Sequence, residues 1–253
     1  MNLLAIMQPT FLPWIGYFDL IDQVDIFVFY DDVQLSRRSW QIRNRIKTPS
    51  GELYLTIPVK KSKSRDDLLI CESEISYEEN WQNKHMKCIE ANYKKSMYFS
   101  TIFPFLLTHY EKKHALLSLF NADFITSVSE KIGITSKFIT SSQLSDIDGI
   151  KDIRLASICM KLSSNEYLSP QGSANYIESQ SPGGQLTKEN IALYYHFYEY
   201  PVYRQLYGNF MPYISIIDLL FNEGFDNALE IIRKGRQEKV HFQLFRQNFL
   251  NLH

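Results

Sequence analysis

Two short apolar runs, joined by a proline-bracketed loop and a helical segment, constrain the amino-terminal part of this chain more than any other feature. Leu4, Ala5, Ile6 and Met7 are too few for a helix and are closed by turn chemistry, so they read as a buried strand. Gln8-Pro9-Thr10-Phe11-Leu12-Pro13 follows, and its two prolines exclude continued strand or helix pairing. Residues 14–21 have helical spacing, with Trp14, Tyr17, Phe18 and Ile21 on one face, and residues 25–30 form a second buried strand that ends on Asp31-Asp32. Strand, loop, helix, strand is the opening βαβ unit of a parallel sheet. Ligands of such sheets lie beyond the carboxyl ends of the strands. Gln8 stands beyond the first strand, and Asp31, Asp32 and Gln34 stand beyond the second.

Further along, residues 33–47 are polar, basic and aromatic without a helical or strand period, and read as a loop. A turn at residues 48–51 leads into a strand over 52–59, weakened at its end by Pro58, and residues 68–71 read as another short strand. From Trp81 to Ile132 the periodicity becomes helical, and Gly133 is a stop signal. Residues 137–140 read as a strand, 151–162 as an amphipathic helix, and 166–169 as a strand entering Pro170-Gln171-Gly172. Residues 190–200 are β-rich and aromatic, residues 215–224 and 227–234 are helical around a break, and 237–253 form a tail or interaction helix. The pattern predicts a single α/β domain over residues 1–253, a Rossmann-like parallel sheet with a helical insertion at about residues 78–132.

With 253 residues and 45% hydrophobic content, the chain has material for a sizeable core. Its net charge of −1 provides no global field to attract nucleic acid. Basic residues do gather locally, at Arg37, Arg38, Arg43, Arg45 and Lys47 and again at Lys60, Lys61, Lys63 and Arg65. Cys71, Cys88 and Cys159 are widely spaced, which argues against a disulfide framework or a zinc site and for a reducing compartment. No apolar run approaches the ~20 residues that span a bilayer, so a cytoplasmic location is expected.

Several constellations carry possible chemistry. Gly16 beside Trp14 and Tyr17 allows close approach of a ligand or of another part of the chain. Asp31 and Asp32 suit Mg²⁺, the orientation of a hydroxyl or amine, or general-base work; the plain alternative is a cap or a turn salt-bridged to an arginine. Arg38, Trp40, Arg43, Asn44 and Lys47 suit the phosphates and a ring of a nucleotide or nucleotide sugar. Tyr167, Ser169, Gly172 and Tyr176 surround a strand-to-turn site that could donate backbone N–H groups to an anion. Ser215, Asp218 and Asn222 share one helix face, where Ser215 and Asp218 also match an acidic variant of the capping box. His85 is the candidate base on an amphipathic helix, with a structural histidine as its default reading.

Residues 7–18, the Asp31-Asp32-Val33-Gln34 segment, Trp40 with Arg43-Asn44, Tyr167-Leu168-Ser169, and Phe210 with Pro212 through Asp218 resemble the WbqC-like family. That resemblance implies a role in making or modifying an amino-bearing sugar of bacterial O-antigen or other surface polysaccharide. The layout of residues 12–28 is also similar to the H-x-G-H segment of adenylyl-transferring Rossmann-like enzymes such as pantothenate synthetase. Here Gly16 is kept, and Trp14 and Tyr17 replace the two histidines. Together these imply acylation of the amino group of a nucleotide-linked amino sugar, with aminoacylation as one form of it and ATP with Mg as open cofactors. The expected partners are that sugar nucleotide and a small acyl or amino-acid donor, with a charged tRNA as an open alternative donor and a homo-oligomer as an open assembly. The alternatives are a non-catalytic sugar-nucleotide-binding partner in a polysaccharide assembly complex and a glycosyltransferase.

Overall fold

In the computed structural model, which describes residues 2–36, 39–60 and 68–250, strand β1 (Leu3–Met7) leads through the proline loop to helix α1 (Ile15–Asp22) and strand β2 (Ile26–Phe29). The two strands are parallel, with Leu4 opposite Ile26 and Met7 opposite Phe29. A hairpin of β3 (Arg43–Thr48) and β4 (Gly51–Thr56) then forms a separate two-stranded sheet. Next come α2 (Trp81–Tyr93), α3 (Phe99–Glu111) and α4 (Leu117–Ile132), all between β4 and β5 (Lys137–Thr140). The chain continues as α5 (Lys151–Lys161), β6 (Glu166–Pro170), the short helices α6 (Ala174–Ile177) and α7 (Gly184–Lys188), and β7 (Ala192–His196). It closes with α8 (Ile216–Lys234), β8 (Val240–His241) and α9 (Phe242–Phe245).

The main sheet has the order β5-β2-β1-β6-β7-β8, parallel except for the last pair. This is the doubly wound Rossmann-like arrangement that the opening βαβ unit predicts. Both faces are covered, so the central strands β1 and β2 are apolar throughout rather than alternating. Ala5, Phe27, Phe29 and Leu168 pack toward α1, α4, α8 and the hairpin. Leu4, Ile6, Ile26, Val28, Tyr167, Leu193 and Tyr195 pack toward α5, α6, α7 and α9. A fully buried ring such as Phe27 contributes about 1.5–3 kcal/mol. Among the described residues, no helix is long and apolar enough to cross a membrane.

Four local expectations change. Residues 43–47, read as loop, and Thr48, read as turn, form strand β3: its inward positions are Asn44, Ile46 and Lys47, so hydrophobic alternation is missing although the strand is paired. Residues 68–71 hold only an isolated bridge between Leu69 and Gln34 and the start of a 3-10 turn over Ile70–Glu72. β4 ends at Thr56, before Pro58, and β7 occupies only the centre of residues 190–200. At Gly224 the last long helix is interrupted and resumes, in line with the break expected there. Its φ of 76° breaks the helix, and a Cβ there would sit 2.7 Å from the Tyr98 ring.

Candidate functional site

The strand order reverses between β1 and β6, because the chain fills the sheet outward from β1 through β2 and β5, and then on the other side through β6 and β7. Ligands of doubly wound sheets bind at this switch point, outside the carboxyl ends of the two strands. A crevice of about 540 Å³ lies there. Ile6, Met7, Gln8 and Thr10 line it from β1 and its loop, and Pro170, Gly172, Ser173 and Tyr176 line it from β6 and the turn that follows. Tyr30, Val33, Trp40, Gln41, Lys151 and Leu155 complete the wall. Lys151 opens α5 with φ 53°, is exposed, and has no ion-pair partner among the described residues. Burial pushes the Tyr30 phenol up to about 12 and raises that of Tyr176, so both remain protonated hydrogen-bond donors at neutral pH.

A second chamber of about 230 Å³ is lined by Met7, Thr10, Pro13, Trp14, Tyr17, Trp40, Asn44, Arg45 and Tyr213. Met7, Thr10 and Trp40 belong to both walls, so the two cavities meet at the loop after β1. That loop is held by side chains from three directions. Asn44 donates through Nδ2 to the carbonyls of Phe11 (3.2 Å) and Leu12 (2.8 Å). Asn121 of α4 donates to the Pro9 (3.0 Å) and Gln41 (2.8 Å) carbonyls. Tyr17 donates its hydroxyl to the Gln8 carbonyl, and Gln41 donates to Gln8 Oε1 at 2.5 Å. Gly16 is explained in the same place: a Cβ would lie 2.2 Å from the Trp14 indole, so the glycine makes room for that ring. The close approach foreseen at Gly16 is therefore made by the chain's own tryptophan.

The predicted residues separate into those that reach these cavities and those that do not. Gln8, Trp14, Tyr17, Trp40, Asn44, Gly172 and Tyr176 line one or both. Asp31 and Asp32 sit at the same sheet edge, as parallel pairing of β1 and β2 requires, but their carboxylates face other partners. Asp31 accepts from Ser142 N and Ser142 Oγ (both 3.0 Å) and from Ser141 Oγ, capping the turn after β5. Burial raises its pKa, and the serine bonds offset only part of that rise. Asp32 accepts from Ser141 Oγ at 2.5 Å and pairs with Arg154 of α5. His85 is turned into the core, where it accepts from Thr56 N (3.2 Å) and meets the Tyr110 hydroxyl. Burial lowers its pKa to about 4, so the ring is neutral at pH 7.

Arg43 places its guanidinium over the Tyr54 ring, 4.9 Å from the centroid. Gln34 is exposed and bridges Leu69 through its backbone. Tyr167 and Ser169 are fully buried, with Ser169 Oγ donating to the Pro170 carbonyl. Ser215 caps α8 by accepting from Ile217 N. Asp218 does not close a capping box with it. Its carboxylate accepts from the Tyr93 (2.9 Å) and Tyr203 (3.0 Å) hydroxyls in a fully buried pocket near Lys47, and Asn222 donates back to the Asp218 carbonyl. Lys47 Nζ is engaged by Gln205 Oε1 (3.0 Å) and the Asn209 carbonyl (2.6 Å). Arg38, with Arg37, Lys61, Lys63 and Arg65, lies outside the described residues. Among the described residues no three of His, Cys, Asp and Glu converge as a metal site requires.

The WbqC-like protein family matches residues 8–230, most of the chain and all of the lining of both cavities except Ile6 and Met7. The chain belongs to that family. The uncharacterized protein Rv1507c of Mycobacterium tuberculosis is 35% identical over 241 residues, covering 94% of this chain and 100% of the other. No solved structure matches. In this WbqC-like chain, sequence reasoning missed Asn121, Lys151 and Tyr213. The legible signal at Asn121 was a polar residue on the apolar face of an amphipathic helix, which burial obliges to find a partner.

One prediction concerns the aspartate pair. Asp32→Ala removes the carboxylate from Arg154, whose Nε is already buried without a partner. Urea unfolding is expected to show a loss of about 1–3 kcal/mol. Binding in the crevice, tested with a sugar nucleotide, should persist. A stable variant with abolished binding would restore Asp32 to the site.

Proposed function

We propose that the protein binds a nucleotide-linked amino sugar in the switch-point crevice and acylates its amino group, in the building of a bacterial surface polysaccharide. The observation that carries this reading is the crevice itself: a concave site at the topological switch point, with Lys151 available to phosphates and Gln8, Tyr30 and Tyr176 available to polar groups. The neutral amine attacks the acyl carbonyl, the donor's leaving group departs, and the amine proton passes to solvent or to the leaving group. With Asp31, Asp32 and His85 bonded elsewhere, the protein's contribution is orientation of two substrates and hydrogen bonding from the Tyr30 and Tyr176 phenols to the developing oxyanion.

The test is incubation with a UDP- or dTDP-amino sugar and, in separate arms, glycine with ATP and Mg²⁺ or an aminoacyl-tRNA. Mass spectrometry would follow formation of the amide. Gly172→Trp serves as the blocking variant, because a Cβ at Gly172 meets nothing within 4 Å and the indole can fill the crevice. It is expected to keep the wild-type melting temperature and to lose binding and turnover together. Saturable binding without an amide from any donor would favour the second reading, a non-catalytic sugar-nucleotide-binding partner. The engagement of all three candidate acid–base residues in structural bonds supports that alternative. Absence of binding would overturn both.

A further inference from the structure

The smaller chamber differs in chemistry from the crevice it adjoins. Its walls are the rings of Trp14, Tyr17, Trp40 and Tyr213, and the polar groups of Tyr17, Asn44 and Arg45 in its lining are already engaged within the protein. Tyr17 donates to Gln8, Asn44 donates to Phe11 and Leu12 and accepts from Arg45 N, and Arg45 binds the Tyr213 carbonyl and Glu52. The Thr10 hydroxyl at the seam between the cavities, the Trp14 and Trp40 indole N–H groups and the Tyr213 hydroxyl have no partner among the described residues. Two of the rings are costly where they stand. Trp40 is 50% exposed and Tyr213 is 52% exposed, and large aromatics left half in water mark contact surfaces when they cluster. Tyr213 also holds φ 57°, a left-handed conformation unfavourable for a residue with a Cβ. Its ring nevertheless faces Trp14 at 5.6 Å between centroids.

We infer that this chamber is a ring subsite, taking the uncharged base of a nucleoside against Trp14, Trp40 and Tyr213 while the attached phosphates lie in the crevice. The inference rests on the reading of the crevice as a sugar-nucleotide site and assigns the ligand's ends within it. Among the described residues a charged group has no counter-ion here, since the Arg45 charge is matched by Glu52. A pyranose carries hydroxyls around its whole rim, and those turned toward the ring faces and toward the already bonded Asn44 and Arg45 would be buried unmatched. A pyrimidine presents two apolar faces to the rings and keeps its polar edge toward the opening and Thr10.

The probes are uridine, thymidine, UDP, inorganic pyrophosphate and the methyl glycoside of 2-amino-2-deoxyglucose, followed by saturation-transfer NMR and calorimetry. Tyr213→Gly removes the ring, relieves the left-handed backbone and keeps the carbonyl that Arg45 binds, so its melting temperature should be equal to or above that of the wild type. It is expected to weaken uridine and UDP about tenfold and to leave pyrophosphate unchanged. Gly172→Trp should do the reverse, weakening UDP and pyrophosphate while sparing uridine. Trp40→Ala provides a second variant with the same expected loss of uridine binding, although Trp40 also lines the crevice. Nucleoside binding unchanged in both ring variants would overturn the inference, as would a chamber that takes the glycoside in preference to the nucleosides. No turnover enters these measurements, so failure of the acylation assay leaves the result standing.

Discussion

Asp218→Ala is expected to cost about 3–5 kcal/mol of stability, read as a shift in the urea midpoint at constant slope. The carboxylate is fully buried and is the shared acceptor for the Tyr93 and Tyr203 hydroxyls. Its removal leaves two phenols without an acceptor and the buried Lys47 ammonium without its nearby negative charge. The same site gives a pH signature. Burial raises the Asp218 pKa from 3.8 to about 6, against the opposing pull of the two tyrosine bonds and Lys47. Because the folded state holds this proton more tightly than the unfolded chain, the group's contribution is complete below pH ~4 and is lost as the pH rises through about 6. The change amounts to about 3 kcal/mol over that window. Asp218→Asn, which cannot ionise, should flatten this part of the stability profile relative to the wild type. A wild-type curve parallel to that of the variant from pH 4 to 7 would show that Asp218 stays ionised throughout.

Asp218 also shows why parts of the site were legible in the sequence and others were not. Its position three residues after Ser215 gives the local pattern of a cap, and Ser215 does cap the helix. What binds the carboxylate comes from Tyr93, 125 residues away, and from Tyr203. The aspartates after β2 follow the same logic. Their place at the sheet edge is a consequence of local strand pattern, whereas Ser141 and Arg154, which occupy them, are separated from Asp31 and Asp32 by 110 and 122 residues. Local chemistry did identify Gln8, which directly follows a short apolar strand, and Gly172, which lies in the turn after the next strand of the site. That these two face one another across a crevice depends on β6 pairing beside β1, a long-range choice without a local signature. Strand β3 escaped notice for a different reason: its buried Asn44 serves the proline loop, so function has displaced the alternation by which a strand is recognised.

Asp19 has the strongest claim to a structural effect that reaches the site. It stands in α1 between Phe18 and Leu20 with no exposure to solvent. Its oxygens accept from Gln23 Nε2 (2.6 Å) and Arg236 Nε (2.8 Å), and one lies 2.8 Å from His196 Nε2. Arg236 extends the network to Asp22, which Arg233 also binds through two bonds of 2.8 Å. One carboxylate therefore ties together α1, the end of β7 and the chain just beyond α8. Asp19→Ala would strand a buried histidine and a partly buried guanidinium, and a loss of about 3–5 kcal/mol is expected. Asp19→Asn keeps one acceptor and should cost less, which leaves a folded protein in which to follow the site. Helix α1 begins directly after Trp14, and the His196 carbonyl accepts from Gln171 beside Gly172. Loosening this joint should thus shift both cavity walls, weakening UDP binding and nucleoside binding together. Stability unchanged to within about 0.5 kcal/mol in Asp19→Ala would mean that Arg236 and His196 find solvent instead, and that the network contributes nothing to holding the walls in register.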